Sequence, residues 1–173
     1  MKDLLKHQRL TVASSILGPQ RLLIELAHGT IPVQMTPSFA GPGKALFAFE
    51  IDGNHVLGLI DPPVGILHRN DKQFATIQPN HIPTRKRLAF RTNSLIVGHL
   101  NYGSQQLPLS CTLWMGLVGT DFLLRDTNGR HLAFWKRWNT RTRVLISSNL
   151  SREFCDAILG MVLYLEVDKD ISC

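Results

Sequence analysis

The densest grouping of cationic and aromatic side chains lies in the C-terminal half of the chain. It consists of Trp135, Lys136, Arg137, Trp138, Arg141 and Arg143. Tryptophan settles at the headgroup level of a membrane, and each lysine or arginine near an anionic surface contributes about 1 kcal/mol before salt screening. Four such cations would give reversible attachment, so the spacing predicts a binding site for an anionic phospholipid surface.

A second basic patch lies earlier in the chain. It consists of Arg85, Lys86, Arg87 and Arg91. Either patch could instead bind an acidic protein partner, or a nucleic acid whose phosphates contact the cations and whose bases stack on tryptophan. No motif of a known nucleic-acid-binding module is present, which makes nucleic acid the less favoured partner. A purely structural interpretation also stays open, in which the cations lie on solvated faces of the hairpins and Trp138 packs into the sheet.

Catalytic motifs are the weakest feature of the sequence. Gly41–Lys44 resembles a phosphate-binding loop, but Ser38 stands where its first glycine belongs and Ala45 where its Ser or Thr belongs. The seven histidines are scattered, and Cys155 has no assignable activating histidine, so we interpret it as a core residue. We therefore predict no catalytic residue, no metal site and no cofactor, and a protein that is not an enzyme.

Charge is unevenly distributed along the 173 residues, whose formal net charge is +6. Residues 121–150 carry six basic and two acidic residues, whereas 151–173 carry two basic and five acidic ones. The 44% hydrophobic content excludes intrinsic disorder, and the length suits one core. Three widely spaced cysteines favour a reducing compartment. With no signal peptide and no apolar run of spanning length, we expect a cytoplasmic protein, peripheral at the inner membrane face.

Short apolar runs separated by turn residues predict a sheet of antiparallel hairpins. The pairs are Ala45–Ile51 with His55–Ile60, Arg87–Arg91 with Leu95–Leu100, and Asp121–Asp126 with Arg130–Trp135. Their turns contain Asp-Gly, Asn-Ser and Asn-Gly, whose small or flexible residues tolerate the positive φ of tight turns.

Two segments favour helix. Pro19 and Gly29 suit the first helical position and the position after the last turn, which predicts a short helix between them. Near the C-terminus, Ser147–Asn149 supply helix-capping chemistry ahead of a predicted helix over Leu150–Val167. Within it, Ala157–Leu165 is apolar on every face, so as a helix it must be buried on every face. A closed sheet wrapped around it would provide that environment, although a core strand over Met161–Val167 is the alternative.

The stretch TDFLLRDTNGRHLAFWKRW, residues 120–138, resembles the tubby C-terminal-like superfamily, which includes phospholipid scramblases and LURP-one-related plant proteins. In those families such a hairpin is followed by one more strand and by an apolar C-terminal helix that threads a β-barrel. A strand near Arg143–Ile146 and the helix Leu150–Val167 occur here in that order, so the similarity covers roughly residues 105–168. It implies the barrel fold and a lipid- or phosphoinositide-binding role.

The chain also departs from scramblases. Their acidic calcium-binding segment corresponds to Asn139–Leu150, which here contains no Asp or Glu and holds Arg141 and Arg143. Calcium requires several oxygen ligands, usually including carboxylates, so calcium-gated lipid scrambling is not expected.

Together these features predict a mainly β (α+β) protein. We expect residues 1–28 to form an N-terminal helical extension and residues 29–173 to form an antiparallel closed β-barrel around a buried C-terminal helix. The expected function is non-catalytic binding of lipid or phosphoinositide through the basic, tryptophan-containing hairpin. A protein-interaction scaffold, whose groove or basic face binds an acidic partner, is the alternative.

Overall fold

The computed structural model describes residues 7–14, 22–26, 29–35, 45–61, 64–80, 95–113, 119–138 and 141–167. These residues form twelve strands followed by one helix. The strands are β1 His7–Ser14, β2 Leu22–Leu26, β3 Gly29–Met35, β4 Ala45–Ile51, β5 Asn54–Asp61, β6 Val64–Arg69, β7 Lys72–Pro79, β8 Leu95–Tyr102, β9 Gln105–Leu113, β10 Gly119–Arg125, β11 His131–Trp138 and β12 Arg141–Ser147, and the helix is α1 Arg152–Val167.

All strand pairs are antiparallel, and consecutive strands are neighbours from β1 through to β12. The first strand pairs on one side with β2 and on the other with β12, so every strand in the order has two partners. The prediction of a mainly β, antiparallel protein with a C-terminal helix is confirmed.

Tight turns join the strands at the end of the sheet where α1 begins. Between β4 and β5, Asp52 and Gly53 have φ of 49° and 72°, as the Asp-Gly signal predicts. Between β6 and β7, Asn70 and Asp71 adopt φ of 49° and 65°, a turn the sequence reading missed. The β4–β5 and β10–β11 hairpins are confirmed, whereas the predicted strand 87–91 lies outside the described residues.

The predicted N-terminal helix is wrong over the part that is described. Residues Leu22–Leu26 form strand β2, which pairs with β1 and β3, and Ile24 is fully buried. Gly29 does mark the boundary of an element, but it is the first residue of strand β3 and does not follow a helix. Because β1 and β2 belong to the same sheet as all later strands, the described part of residues 1–28 is not a separate helical extension.

The buried C-terminal helix is confirmed, and the alternative strand over Met161–Val167 is wrong. From Phe154 to Leu165 every residue of α1 except Cys155 is buried. Two glycines permit close packing: a Cβ on Gly65 would lie 2.5 Å from the ring of Tyr164, and one on Gly160 would lie 2.8 Å from Leu67. The helix contacts the inner face of β4 to β8, and we call the opposite face of the sheet the outer face.

Candidate anion-binding surface

The predicted basic and aromatic grouping spans the paired strands β11 and β12. In their register Trp135 lies opposite Val144, Lys136 opposite Arg143, and Arg137 opposite Thr142. Successive residues of a strand point to opposite faces of the sheet. The grouping is therefore divided between the inner face and the outer face.

Trp135 belongs to the inner face. Its side chain is fully buried and stacks on Phe122 of β10, with ring centroids 5.4 Å apart and planes 18° apart. The prediction that Trp135 contacts an anionic ligand or a membrane is wrong, because the side chain fills the core and has no exposed surface.

Arg137 also faces inward, toward the end of the helix. Its Nε lies 3.5 Å from Oε2 of Glu166, whose Oε1 accepts a 2.6 Å hydrogen bond from the Thr142 hydroxyl. The last turn of α1 holds no basic residue, and the helix dipole is negative there. Arg137 thus provides the cation that this helix end needs, while 24% of its side chain remains exposed and its predicted role in ligand binding stays a prediction.

Lys136 and Arg143 face outward and lie side by side across β11 and β12. Arg143 is exposed, and the Lys136 side chain keeps 43% of its surface accessible. Like charges directly opposite each other on adjacent strands disfavour pairing. One carboxylate offsets this, because Oδ1 of Asp121 on β10 lies 3.9 Å from the Lys136 Nζ. We call Asp121, Lys136 and Arg143 the outer charged row.

A row of apolar residues runs parallel to the outer charged row, at a distance of two residues on each of the three strands. Leu123 pairs with Phe134, and Phe134 pairs with Leu145. All three are partly exposed. The outer face of β10 to β12 thus combines cations with partly exposed apolar side chains.

The side chains of the remaining predicted residues lie outside the described part of the structure. Trp138 and Arg141 are paired in the β11–β12 register, two residues beyond Lys136 and Arg143. Residues Arg85, Lys86, Arg87 and Arg91 lie outside the described residues, as the gap between 80 and 95 contains them all.

A second charged cluster, which the sequence reading missed, joins the first turns of α1 to the sheet. Asp156 is only 2% exposed, and its Oδ2 accepts a 3.0 Å hydrogen bond from Nε of Arg69 on β6. Arg152 lies 3.8 Å from the same carboxylate and also pairs with Asp52. Burial raises the pKa of Asp156, against the opposing effect of the two arginines. The i, i+4 spacing of Arg152 and Asp156 was the available signal, but Arg69 is 87 residues away.

A cleft of about 480 Å³ opens beside this cluster, between the β8–β9 turn, the β10–β11 turn and the start of α1. Tyr102 and Phe154 stack in its wall at 4.6 Å. Its charged residues are Asp126 and Arg130, and Oδ1 of Asp126 accepts hydrogen bonds from the backbone N–H groups of Asn128 and Arg130. With one charge of each sign, this cleft does not select an acidic partner.

Cys155 is partly buried, and burial together with the neighbouring Asp156 raises the pKa of its thiol. The thiol therefore stays protonated at neutral pH, which suits a packing residue better than a nucleophile. In the described ranges we find no group of three or more His, Cys, Asp or Glu residues placed to hold a metal ion. Nor is any helix there long and apolar enough to cross a membrane.

The chain matches no protein-family model, no curated protein and no solved structure.

Proposed function

We propose that the protein is a non-catalytic module that binds anionic phospholipid headgroups reversibly at the cytoplasmic face of a membrane. The observation that carries the proposal is the pairing of Lys136 with Arg143 on the outer face, next to the partly exposed row Leu123, Phe134 and Leu145. The cations would contact phosphate oxygens, and the apolar row would lie against the headgroup and acyl boundary.

We further propose that the twelve strands form a closed barrel of the tubby C-terminal-like type around α1. Two observations support this assignment: β1 pairs with both β2 and β12, and α1 is buried along almost its whole length. Because Trp135 is buried and Arg137 pairs with the helix end, the proposed lipid role rests on the outer residues.

The expected affinity is modest. Lys136 and Arg143 would each contribute about 1 kcal/mol near an anionic surface, before screening by salt. The attachment should therefore be reversible and weaken as salt is raised.

Co-sedimentation with vesicles tests this function. The protein should pellet at low salt with vesicles that contain phosphatidylglycerol, but not with pure phosphatidylcholine. The double variant Lys136→Glu/Arg143→Glu should lose this binding. A matched control, Lys72→Glu/Arg130→Glu, makes the same change in net charge at two exposed cations elsewhere and should retain most of it.

The same assay distinguishes lipid from a nucleic-acid partner. Displacement from vesicles by a single-stranded oligonucleotide at equimolar concentration would favour a nucleic-acid partner. If wild-type protein stays in the supernatant at low salt with every anionic vesicle, the lipid function is wrong.

A further inference from the structure

We propose that the cleft between the β8–β9 turn, the β10–β11 turn and the start of α1 binds a neutral saccharide. The site shares no residue with the outer face of β10 to β12 and does not depend on the proposed lipid function. Its volume of about 480 Å³ lies within the range of about 300–1,000 Å³ that is usual for small-molecule sites in proteins.

The charge of the cleft favours a neutral ligand. Its wall holds one acidic and one basic side chain, Asp126 and Arg130. The carboxylate already serves the turn, because Oδ1 of Asp126 accepts hydrogen bonds of 2.9 Å and 2.7 Å from the backbone N–H groups of Asn128 and Arg130. A charged ligand of either sign would meet a like charge in the wall, which costs binding energy that a neutral ligand keeps.

The hydrogen-bonding groups of the cleft suit a ligand that carries several hydroxyl groups. Side-chain amides and hydroxyls both donate and accept hydrogen bonds, as the hydroxyl groups of a sugar also do. Three separate segments contribute such neutral groups, so they surround the cleft rather than line one side of it. They are Ser104 and Gln105 after β8, Thr127 and Asn128 after β10, and Ser147 and Asn149 at the end of β12.

Apolar surface lies in the same cleft. Tyr102 is partly exposed and stacks on Phe154, with ring centroids 4.6 Å apart, and Leu150 lines the cleft beside them. A pyranose ring has hydroxyl groups around its edge and C–H groups on its faces. It can therefore place a face on the apolar wall while its edge pairs with the amides and hydroxyls, a combination that fits the mixed lining of this cleft.

The turns that carry the polar groups are ordered by their own hydrogen bonds. Between β10 and β11, the Asp126 N–H donates to the Arg130 carbonyl at 2.9 Å, and the Gly129 N–H donates to the Asp126 carbonyl at 3.0 Å. An ordered site loses less conformational entropy on binding. Most of its amides and hydroxyls are exposed, however, and must exchange water for the sugar, so we expect a millimolar affinity.

Nuclear magnetic resonance of the full-length, ¹⁵N-labelled protein tests the site with named probes. These are glucose, galactose, mannose, N-acetylglucosamine, maltose, lactose, cellobiose and chitobiose, each added to about 20 mM, which would saturate a millimolar site. At least one sugar should shift the backbone amide resonances of residues 103–105 and 127–130 in a saturable manner. The resonances of β5 and β6 should not move.

Three single variants each remove one exposed amide from a different side of the cleft: Gln105→Ala, Asn128→Ala and Asn149→Ala. Each should weaken binding of the responding sugar about three- to tenfold, as expected for the loss of one hydrogen bond. The matched control Gln78→Ala removes an exposed amide on β7, away from the cleft, and should leave the affinity unchanged. Far-ultraviolet circular dichroism confirms that each variant keeps the fold.

The inference is overturned if none of these sugars shifts the cleft resonances, or if all three variants bind the responding sugar as tightly as wild type does. Adenosine serves as a further probe, and shifts caused by adenosine alone would identify a nucleoside site and refute the saccharide assignment. Failure of the protein to bind vesicles would refute the lipid function and leave this inference standing, because the two surfaces consist of different residues.

Discussion

Neighbouring residues of β11 and β12 have opposite environments on the two faces of the sheet. On the inner face Trp135 is stacked in the core and Arg137 pairs with the helix end through Glu166. On the outer face Lys136 and Arg143 lie side by side and remain accessible. A cluster that is contiguous in sequence is therefore divided between a stabilising role on one face and, in our proposal, a binding role on the other. Substitutions on the two faces should separate these roles.

The largest effect should come from the inner face at Trp135. Replacement by Ala removes a fully buried side chain and its stacking on Phe122, and should lower the free energy of unfolding by about 3–5 kcal/mol. Urea denaturation followed by circular dichroism measures the loss, and Trp135→Phe should lose clearly less. A loss below about 1 kcal/mol would mean that the side chain is not part of the core.

An intermediate effect is expected at Arg137. The variant Arg137→Met keeps much of the side-chain volume but leaves Glu166, which is only 12% exposed, without its cation. We expect a loss of about 1–2 kcal/mol, because partial exposure moderates the cost of an unpaired carboxylate. In a double-mutant cycle, Glu166→Gln should recover part of the loss. Additive losses from the two single variants would show that the residues do not interact.

The smallest effect on stability should come from the outer face. Arg143→Ala should change the free energy of unfolding by less than about 0.5 kcal/mol, because its side chain is exposed and lies opposite another cation. Lys136→Ala should lower it by no more than about 1 kcal/mol, because its partly exposed side chain also lies near the Asp121 carboxylate. The same variants should nevertheless weaken vesicle binding. If either variant destabilises the fold as much as Arg137→Met does, the division between the two faces is wrong.

Much of the fold followed from local patterns. The Asp52-Gly53 turn, the β10–β11 hairpin and the apolar helix α1 are each encoded within a few neighbouring residues. The prediction of a helix in the N-terminal segment was wrong because Leu22–Leu26 is short and apolar. Such a run fits a helical turn and a strand equally well. Its pairing with β1 and β3 decided the outcome, and pairing depends on residues that local patterns do not include.

The candidate site was predicted only in part, for a related reason. Alternation along a strand separates Trp135 and Arg137 from Lys136, but it does not say which set faces the core. The cluster around Asp156 was missed because Arg69 lies 87 residues away in the chain, and the nearby Arg152 alone does not indicate a buried carboxylate.

By itself the sequence determined the short strands and their turns, the buried helix, and the concentration of positive charge between residues 121 and 150. These properties depend on side-chain periodicity, turn conformation and composition, all of which are local. Only the tertiary structure decided that Trp135 fills the core and Arg137 pairs with the helix end, while Lys136, Arg143 and Asp121 form an outward row. The reason is that the register between strands, together with the side on which the helix packs, assigns each alternating set to its face.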